Sequence, residues 1–189
     1  MACESTAYAR AGLVGNPSDG YYGKTISFVV RNFMAKVSLY ESPEIEIVPS
    51  FQDRSKYASM AELAEDVGRN GYYGGIRLMK ASVRKFYDYC QQNRITLPDN
   101  NFSIRYRSTI PRRLGLAGSS ALVTATLRCL LEFYDVEIPE PVLPNLVLSV
   151  EAEELGISAG LQDRVIQVYE GCVFMDFSRE VMARQGHGN

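Results

Sequence analysis

The two hydropathy periods of this chain are segregated, and that ordering limits the folds open to it. Residues 5–50 read as strands. STAYARAGLVG (5–15) is short and apolar ahead of a polar turn, KTISFVVRNF (24–33) and AKVSLYES (35–42) are rich in β-branched and aromatic residues, and EIEIVPS (44–50) alternates charged with apolar. Turns are expected at NPSDGYYG (16–23) and near Pro43. Helical spacing follows. SMAELAEDVGRN (59–70) is a short candidate, and GIRLMKASVRKFYDYCQQN (75–93) places Ile76, Met79, Val83, Phe86, Tyr87 and Cys90 at helical intervals. NFSIRYRSTI (101–110) returns to alternation, with Phe102, Ile104 and Tyr106 opposite Arg105 and Arg107.

Three more helices are expected after residue 120: ALVTATLRCLLEFYDV (121–136), buried on most sides; PVLPNLVLSVEAEELG (141–156), entered near Pro144; and LQDRVIQVYE (161–170). GCVFMDFS (171–178) reads as a closing strand, and EVMARQGHGN (180–189) as a polar end. Strands first and helices later, without regular βα alternation, predict an α+β fold with an antiparallel sheet packed on helices.

Composition narrows the function. With 46% hydrophobic and 22% charged residues, 189 residues suffice for one domain with a real core. Lys and Arg number 20 against 22 Asp and Glu, a net charge of -2, so nucleic acid is not an expected partner. No membrane-length apolar run is present, and MACESTAYARAG (1–12) has neither a basic stretch nor a long apolar one, so no secretory signal and a cytoplasmic location are expected. Cys3, Cys90, Cys129 and Cys172 have no metal-like spacing; they read as reduced thiols, with Cys129 and Cys172 in the core. The sole histidine, His187, lies near the end, a poor place for a triad base or zinc ligand. Acid–base work therefore falls to Asp or Glu.

Two segments carry chemistry. In IPRRLGLAGSSALVTA (110–125), glycines and serines sit where a helix begins. Such an N-terminus offers unpaired N–H groups and partial positive charge, which suits an anion such as phosphate. The same residues also make an ordinary helix cap. Known phosphate and nucleophile motifs do not match: the spacing Gly15 to Gly20 has Tyr21 where a P-loop lysine belongs, GxGxxG is absent, and Leu122 breaks a GxSxG elbow. In VEAEELGISAGLQDRV (150–165), Glu151 and Glu154 share a helix face, Glu153 points elsewhere, and Asp163 opens the next helix beyond Gly156 and Gly160. Two carboxylates brought together so would serve Mg²⁺ and a hydroxyl proton. A solvated acidic face is the plainer alternative.

Together these segments resemble a known family. PRRLGLAGSSA resembles the P-x-x-x-G-L-x-(x)-S-S-A phosphate loop of the GHMP kinases, the superfamily of galactokinase, homoserine kinase, mevalonate kinase and phosphomevalonate kinase. AYARAGLVGNPSD resembles the family's A-P-G-R-V-N-L-I-G-E-H-T-D pattern with Arg10, Gly15 and Asp19 in register, and EAEELGISAGLQD resembles its acidic segment. GNPSDGYYGKTIS, RNGYYGGIRLMKA and SAGLQDRVIQVYEG look most like the plant-type glucuronokinases.

The resemblance implies the family's N-terminal, ATP-binding lobe over residues 1–189, a ribosomal-protein-like fold with a left-handed βαβ unit. It implies transfer of phosphate from ATP to the anomeric hydroxyl of D-glucuronate, with Mg²⁺. Related sugar 1-kinases (galacturonate, arabinose, galactose) and a non-catalytic sugar- or nucleotide-binding module are the alternatives. Pro111, Gly115, Leu116, Ala117, Gly118, Ser119 and Ser120 would wrap the ATP phosphates. Ser120 and Glu151 would hold Mg²⁺, Asp163 would act as base or orienting carboxylate, and Arg10 would lie near it. Asp19, Asn16 and Lys24 would face the sugar, with Lys24, Arg112 and Arg113 as candidate cations for a uronic acid. Asn16-Pro17 in place of Glu-His, and Gly12 in place of Asn, make galactose a poorer fit. Family members carry a second lobe, so a C-terminal lobe is expected to be absent here and the chain alone weakly active or inactive. The resemblance does not address oligomeric state.

Overall fold

The structure is a computed structural model, and it describes residues 2–50, 53, 58–61, 64, 65, 68 and 74–185. A sheet of five strands forms one layer: β1 (Ala2–Val14), β2 (Lys24–Glu41), β3 (Glu46–Val48), β4 (Phe102–Ser108) and β5 (Cys172–Asp176). β1 pairs along nearly all of β2. The opposite edge of β2 is shared, with β5 on Lys24–Phe28 and β4 on Ala35–Glu41. These pairings are antiparallel, as expected. β3 departs from the expectation, because it pairs with β4 in parallel. A parallel neighbour needs a crossover connection, and the chain between them carries helix α1 (Gly75–Gln92).

The two segments 24–33 and 35–42 form one strand rather than two. The register jumps from Tyr8↔Met34 to Ala9↔Val30, so a bulge absorbs the extra residues and bends β2 instead of ending it. NPSDGYYG is a turn as expected, with a short 3₁₀ segment at Ser18–Tyr21. Half of the candidate helix at 59–70 lies outside the described residues, and of the other half Met60, Ala61, Ala64, Glu65 and Gly68 are helical; His187 falls outside them entirely.

The inner face of the sheet presents Ala7, Ala9, Ala35, Val37, Leu39, Phe102 and Ile104, all buried. Alanines at its centre let helix α2 (Gly118–Phe133) approach β1 and β2 closely, while α1 packs beside it. Every residue from Ser120 to Leu127 is buried, which matches the expectation for that apolar run. Helix α4 (Gln162–Tyr169) packs beside α2 directly on β1, β2 and β5, and α3 (Leu143–Ser149) packs against α1, α2 and α4. The chain continues into helix α5 (Arg179–Gln185), where only a polar end was expected. Among the described residues no helix is long and apolar enough to cross a membrane.

The single helix expected over 141–156 is divided. Pro144 stands in the first turn of α3, and residues Val150–Glu154 then widen into a π-helical turn. Ile157 N–H closes that turn on the Glu151 carbonyl at 2.8 Å, with Gly156 left-handed at φ 65°. Wider winding separates residues that α-helical spacing would stack. Glu151 alone therefore turns inward, while Glu153 and Glu154 are exposed, and the shared face expected for Glu151 and Glu154 is not formed. Cys172 also departs from expectation. Alternation along β5 buries Met175 and turns Cys172 and Phe174 to solvent, whereas Cys129 is in the core.

Candidate active site

The loop from Pro111 to Gly118 joins β4 to α2, and its backbone is left-handed at Arg113, Gly115 and Ala117. No side chain caps α2, since the residue before Gly118 is the left-handed Ala117. The cap reading of the serines is thus not what forms. Ser120 O–H instead donates to the Ala117 carbonyl at 3.1 Å within the turn. The loop carbonyls are tied back toward β1 and α4. Gly115 accepts from Arg10 Nη1 at 3.0 Å, Leu116 from Arg10 N–H at 3.3 Å, and Ala117 from Gln167 Nε2 at 2.9 Å. Backbone that pins its carbonyls on one side can offer amides on the other, as anion-binding concavities do.

A cavity of about 350 Å³ opens beside this loop. Arg10, Pro111, Gly115, Leu116, Ala117, Gly118, Ser119 and Asp163 all line it, together with Arg112 and Arg113. Arg10 grips Asp163 through two nitrogens, Nε at 2.6 Å and Nη2 at 2.5 Å from Oδ1. Asp163 reaches this point because it opens the first turn of α4, where a carboxylate is favoured. The far wall holds Asp53, whose carboxylate accepts from Tyr106 Oη at 2.6 Å, Ser50 Oγ at 2.8 Å and Gly75 N–H at 3.1 Å. Burial, then the bond to Asp53, pushes the Tyr106 phenol well up, so it stays a neutral donor.

The remaining expected residues stand around this cavity rather than in its lining. Asp19 Oδ2 accepts the Gln162 N–H at 3.0 Å, one residue before Asp163. Asn16 packs by Gly12, where an added Cβ would lie 2.9 Å from Asn16 Cβ and 3.1 Å from Gln162 Nε2; this close fit explains a glycine at that position. Lys24 points away, to Asp176 Oδ2 at 2.9 Å. Glu151 is 1% exposed and paired through Oε2 with Arg164 Nη2.

Sequence reasoning missed Arg164, Gln167, Asp53 and Tyr106. Arg164 directly follows Asp163, which was its only signal; arginine is a surface residue by default.

A carboxylate and a hydroxyl are hard oxygen donors of the kind Mg²⁺ takes, and one or two carboxylates with substrate phosphates suffice for it. Glu151 and Ser120 offer donors of that chemistry, but both are buried and neither lines the cavity: Glu151 is paired with Arg164, and Ser120 O–H is bonded to the Ala117 carbonyl. No larger cluster of three or more Asp, Glu, His or Cys side chains suited to a metal occurs among the described residues.

Residues 77–171 match the model of the GHMP kinases N terminal domain, which is half of the chain. The chain belongs to the GHMP kinases. It is 50% identical over 190 residues to glucuronokinase 1 of Arabidopsis thaliana, covering 99% of this chain and 52% of that protein. Against probable glucuronokinase 2 of the same plant, identity is 49% over 98% of this chain and 51% of the relative. This GHMP kinase chain therefore spans about half the length of the relatives it matches. The crystal structure of Lactococcus lactis galactokinase complexed with galactose superposes with a TM-score of 0.72 at 13% identity, over 95% of this chain and 45% of that one. At that identity the likeness shows the fold alone. It agrees with a sheet packed on helices in the manner of the family's N-terminal lobe.

Proposed function

We propose that this GHMP kinase chain is the ATP-binding, catalytic part of a sugar 1-kinase that converts D-glucuronate to D-glucuronate 1-phosphate. One observation carries the reading: Arg10 joins Asp163 to the Gly115 carbonyl of the glycine loop, so a carboxylate and an anion-suited cradle face one cavity. Phosphoryl transfer demands little more than positioning and charge neutralisation.

In this reading the amides of residues 115–119 and the Ser119 and Ser120 hydroxyls cradle the phosphates of ATP. Arg10 adds positive charge where the transferred group gathers negative charge, a kind of contact worth about 10²–10³ in rate. Asp163 orients the anomeric hydroxyl and takes its proton. Asp19 and Asn16 flank the acceptor sugar. Arg112 and Arg113 line the cavity and suit the uronate carboxylate, Arg112 with its Nη2 3.5 Å from Asp53 Oδ1, whereas Lys24 lies outside the lining, paired with Asp176. Mg²⁺, when bound by Glu151, Ser120 and the phosphates, supplies further charge neutralisation. Four unpaired thiols suit a reducing cytoplasm.

The test is ATP-dependent formation of sugar 1-phosphate by the 189-residue chain, and by the same chain joined to the second half of the Arabidopsis relative. The panel holds glucuronate, galacturonate, galactose and arabinose. Glucuronate is expected to give the highest kcat/KM. Preference for another sugar would overturn the substrate, and ATP binding without turnover in both forms would favour a binding module. Asp163→Ala should lose about 10²–10⁴ in kcat while ATP still binds.

A further inference from the structure

Arg164 has no part in the reading above, yet its side chain is more deeply buried than that of Arg10, 4% exposed against 10%. Its Nη2 pairs with Glu151 Oε2, and its Nη1 donates to the Gly160 carbonyl at 2.9 Å and lies 3.4 Å from Asp163 Oδ2. Its Nε is buried with no hydrogen-bond partner among the described residues. Burying an ion is expensive, and an apolar side chain of similar volume often serves stability as well or better. Space filling alone does not account for a cation here.

The contacts form an alternating line of charge: Glu151, Arg164, Asp163, Arg10. Arg10 holds Asp163 Oδ1, and Arg164 stands by Oδ2. The second torsion of an aspartate is broad and roughly two-fold, so one cation on one oxygen leaves its plane loosely set. A cation at each oxygen selects a single plane. Only a guanidinium reaches two carboxylates at once with fixed geometry; an ammonium is a point charge.

We propose that Arg164 is a positioning residue for phosphoryl transfer: its guanidinium ties Glu151 to Asp163 and, with Arg10, fixes the plane of the Asp163 carboxylate that meets the acceptor hydroxyl. The proposal rests on the kinase reading, and its test separates the two. Thermal unfolding of the 189-residue chain is measured for wild type, Glu151→Gln, Arg164→Gln and the double variant. Each single change should lower Tm, and the double variant should lose clearly less than their sum.

In the turnover assay described above, Arg164→Lys keeps the charge and most of the stem. It should lower kcat by about 10- to 100-fold, the penalty of a misplaced reacting group, with KM for ATP within about twofold of wild type. Should Arg164→Gln fail to fold, Arg164→Lys carries the test. Additive Tm losses would overturn the bridge. Wild-type kcat in Arg164→Lys, or a raised KM with unchanged kcat, would overturn the positioning role. No turnover by the wild-type protein in either form would overturn the kinase reading, and with it the role of Arg164, before any variant is compared.

Discussion

Asp19 and Gln162, separated by 143 positions, meet in a hydrogen bond of 3.0 Å from the Gln162 N–H to Asp19 Oδ2. Helix α4 has no side-chain cap of its own, so a residue from the first turn region of the chain supplies one at the point where Asp163 enters. The contact is tight. A Cβ at Gly160 would lie 2.1 Å from Asp19 Oδ2, so Gly160→Ala must push the carboxylate off the helix end. Asp19→Ala is expected to destabilise by about 1 kcal/mol, the usual worth of a cap. Gly160→Ala should cost a similar amount through the same bond. In an Asp19→Ala background it should cost little. Urea unfolding of the four proteins checks this, and full additivity would show that Gly160 is required for another reason.

Glu151 and Glu153 are two residues apart and should behave oppositely. Glu151 is buried against Arg164, whereas Glu153 is exposed and reaches Lys85 Nζ at 2.6 Å across the surface. Glu151→Ala strands a buried guanidinium, a change expected to cost about 3–5 kcal/mol. Glu153→Ala breaks a solvated pair, worth about 0–1 kcal/mol. Urea midpoints of the two variants decide the matter; equal losses would show that the Glu151 pair is not buried in solution.

The same pair shows where sequence was legible and where it was not. The segregated periods marked the sheet and α2, because alternation and helical spacing report which face a residue turns to the core. The convergence of Arg10, Asp163 and the 115–119 loop was implied by the resemblance of their motifs to the family's, not by their spacing. The inward turn of Glu151 was not legible, since α-helical spacing put it beside Glu154 and only the π-helical turn sends it to Arg164. Nor was the continuity of β2, where a register shift absorbs residues that read as a break. Arg164 was hidden for a different reason. Nothing local distinguishes a buried arginine from a solvated one; its burial depends on a partner 13 positions away and on the fold that joins them.

Lys24 gives a prediction in pH. The hydrogen bond from Lys24, then the Ser178 backbone N–H, holds the Asp176 carboxyl at about 2, below its ordinary 3.8. A depressed carboxyl contributes stability that is fully present above its unfolded value and is lost as pH falls through the folded one. The window here is therefore between pH 3.8 and about 2. Lys24→Met should flatten the fall in stability across that window and leave glucuronate turnover near wild type in KM. Urea midpoints from pH 5 to 2, with one KM measurement, test both halves. A large rise in KM would return Lys24 to the sugar site.

Thiol reactivity tests the placement of β5, which closes the sheet beside β2. Cys3, Cys90 and Cys129 are buried, and burial pushes all three thiols up, Cys129 to about 12. Thiolate is the reacting species, so these three should be slow toward an aromatic disulfide reagent at neutral pH. Cys172 is exposed, because the alternation that sends Met175 into the core turns it outward opposite Phe28. The native chain should therefore show one fast equivalent, and the denatured chain four. Cys172→Ser should abolish the fast equivalent without loss of stability, since an exposed side chain packs against little. If a register shift by one residue placed Cys172 inside, Met175 and Asp176 would exchange faces as well. The fast equivalent would then vanish, and the Lys24–Asp176 pair with it, so the thiol count and the acid titration must succeed or fail together.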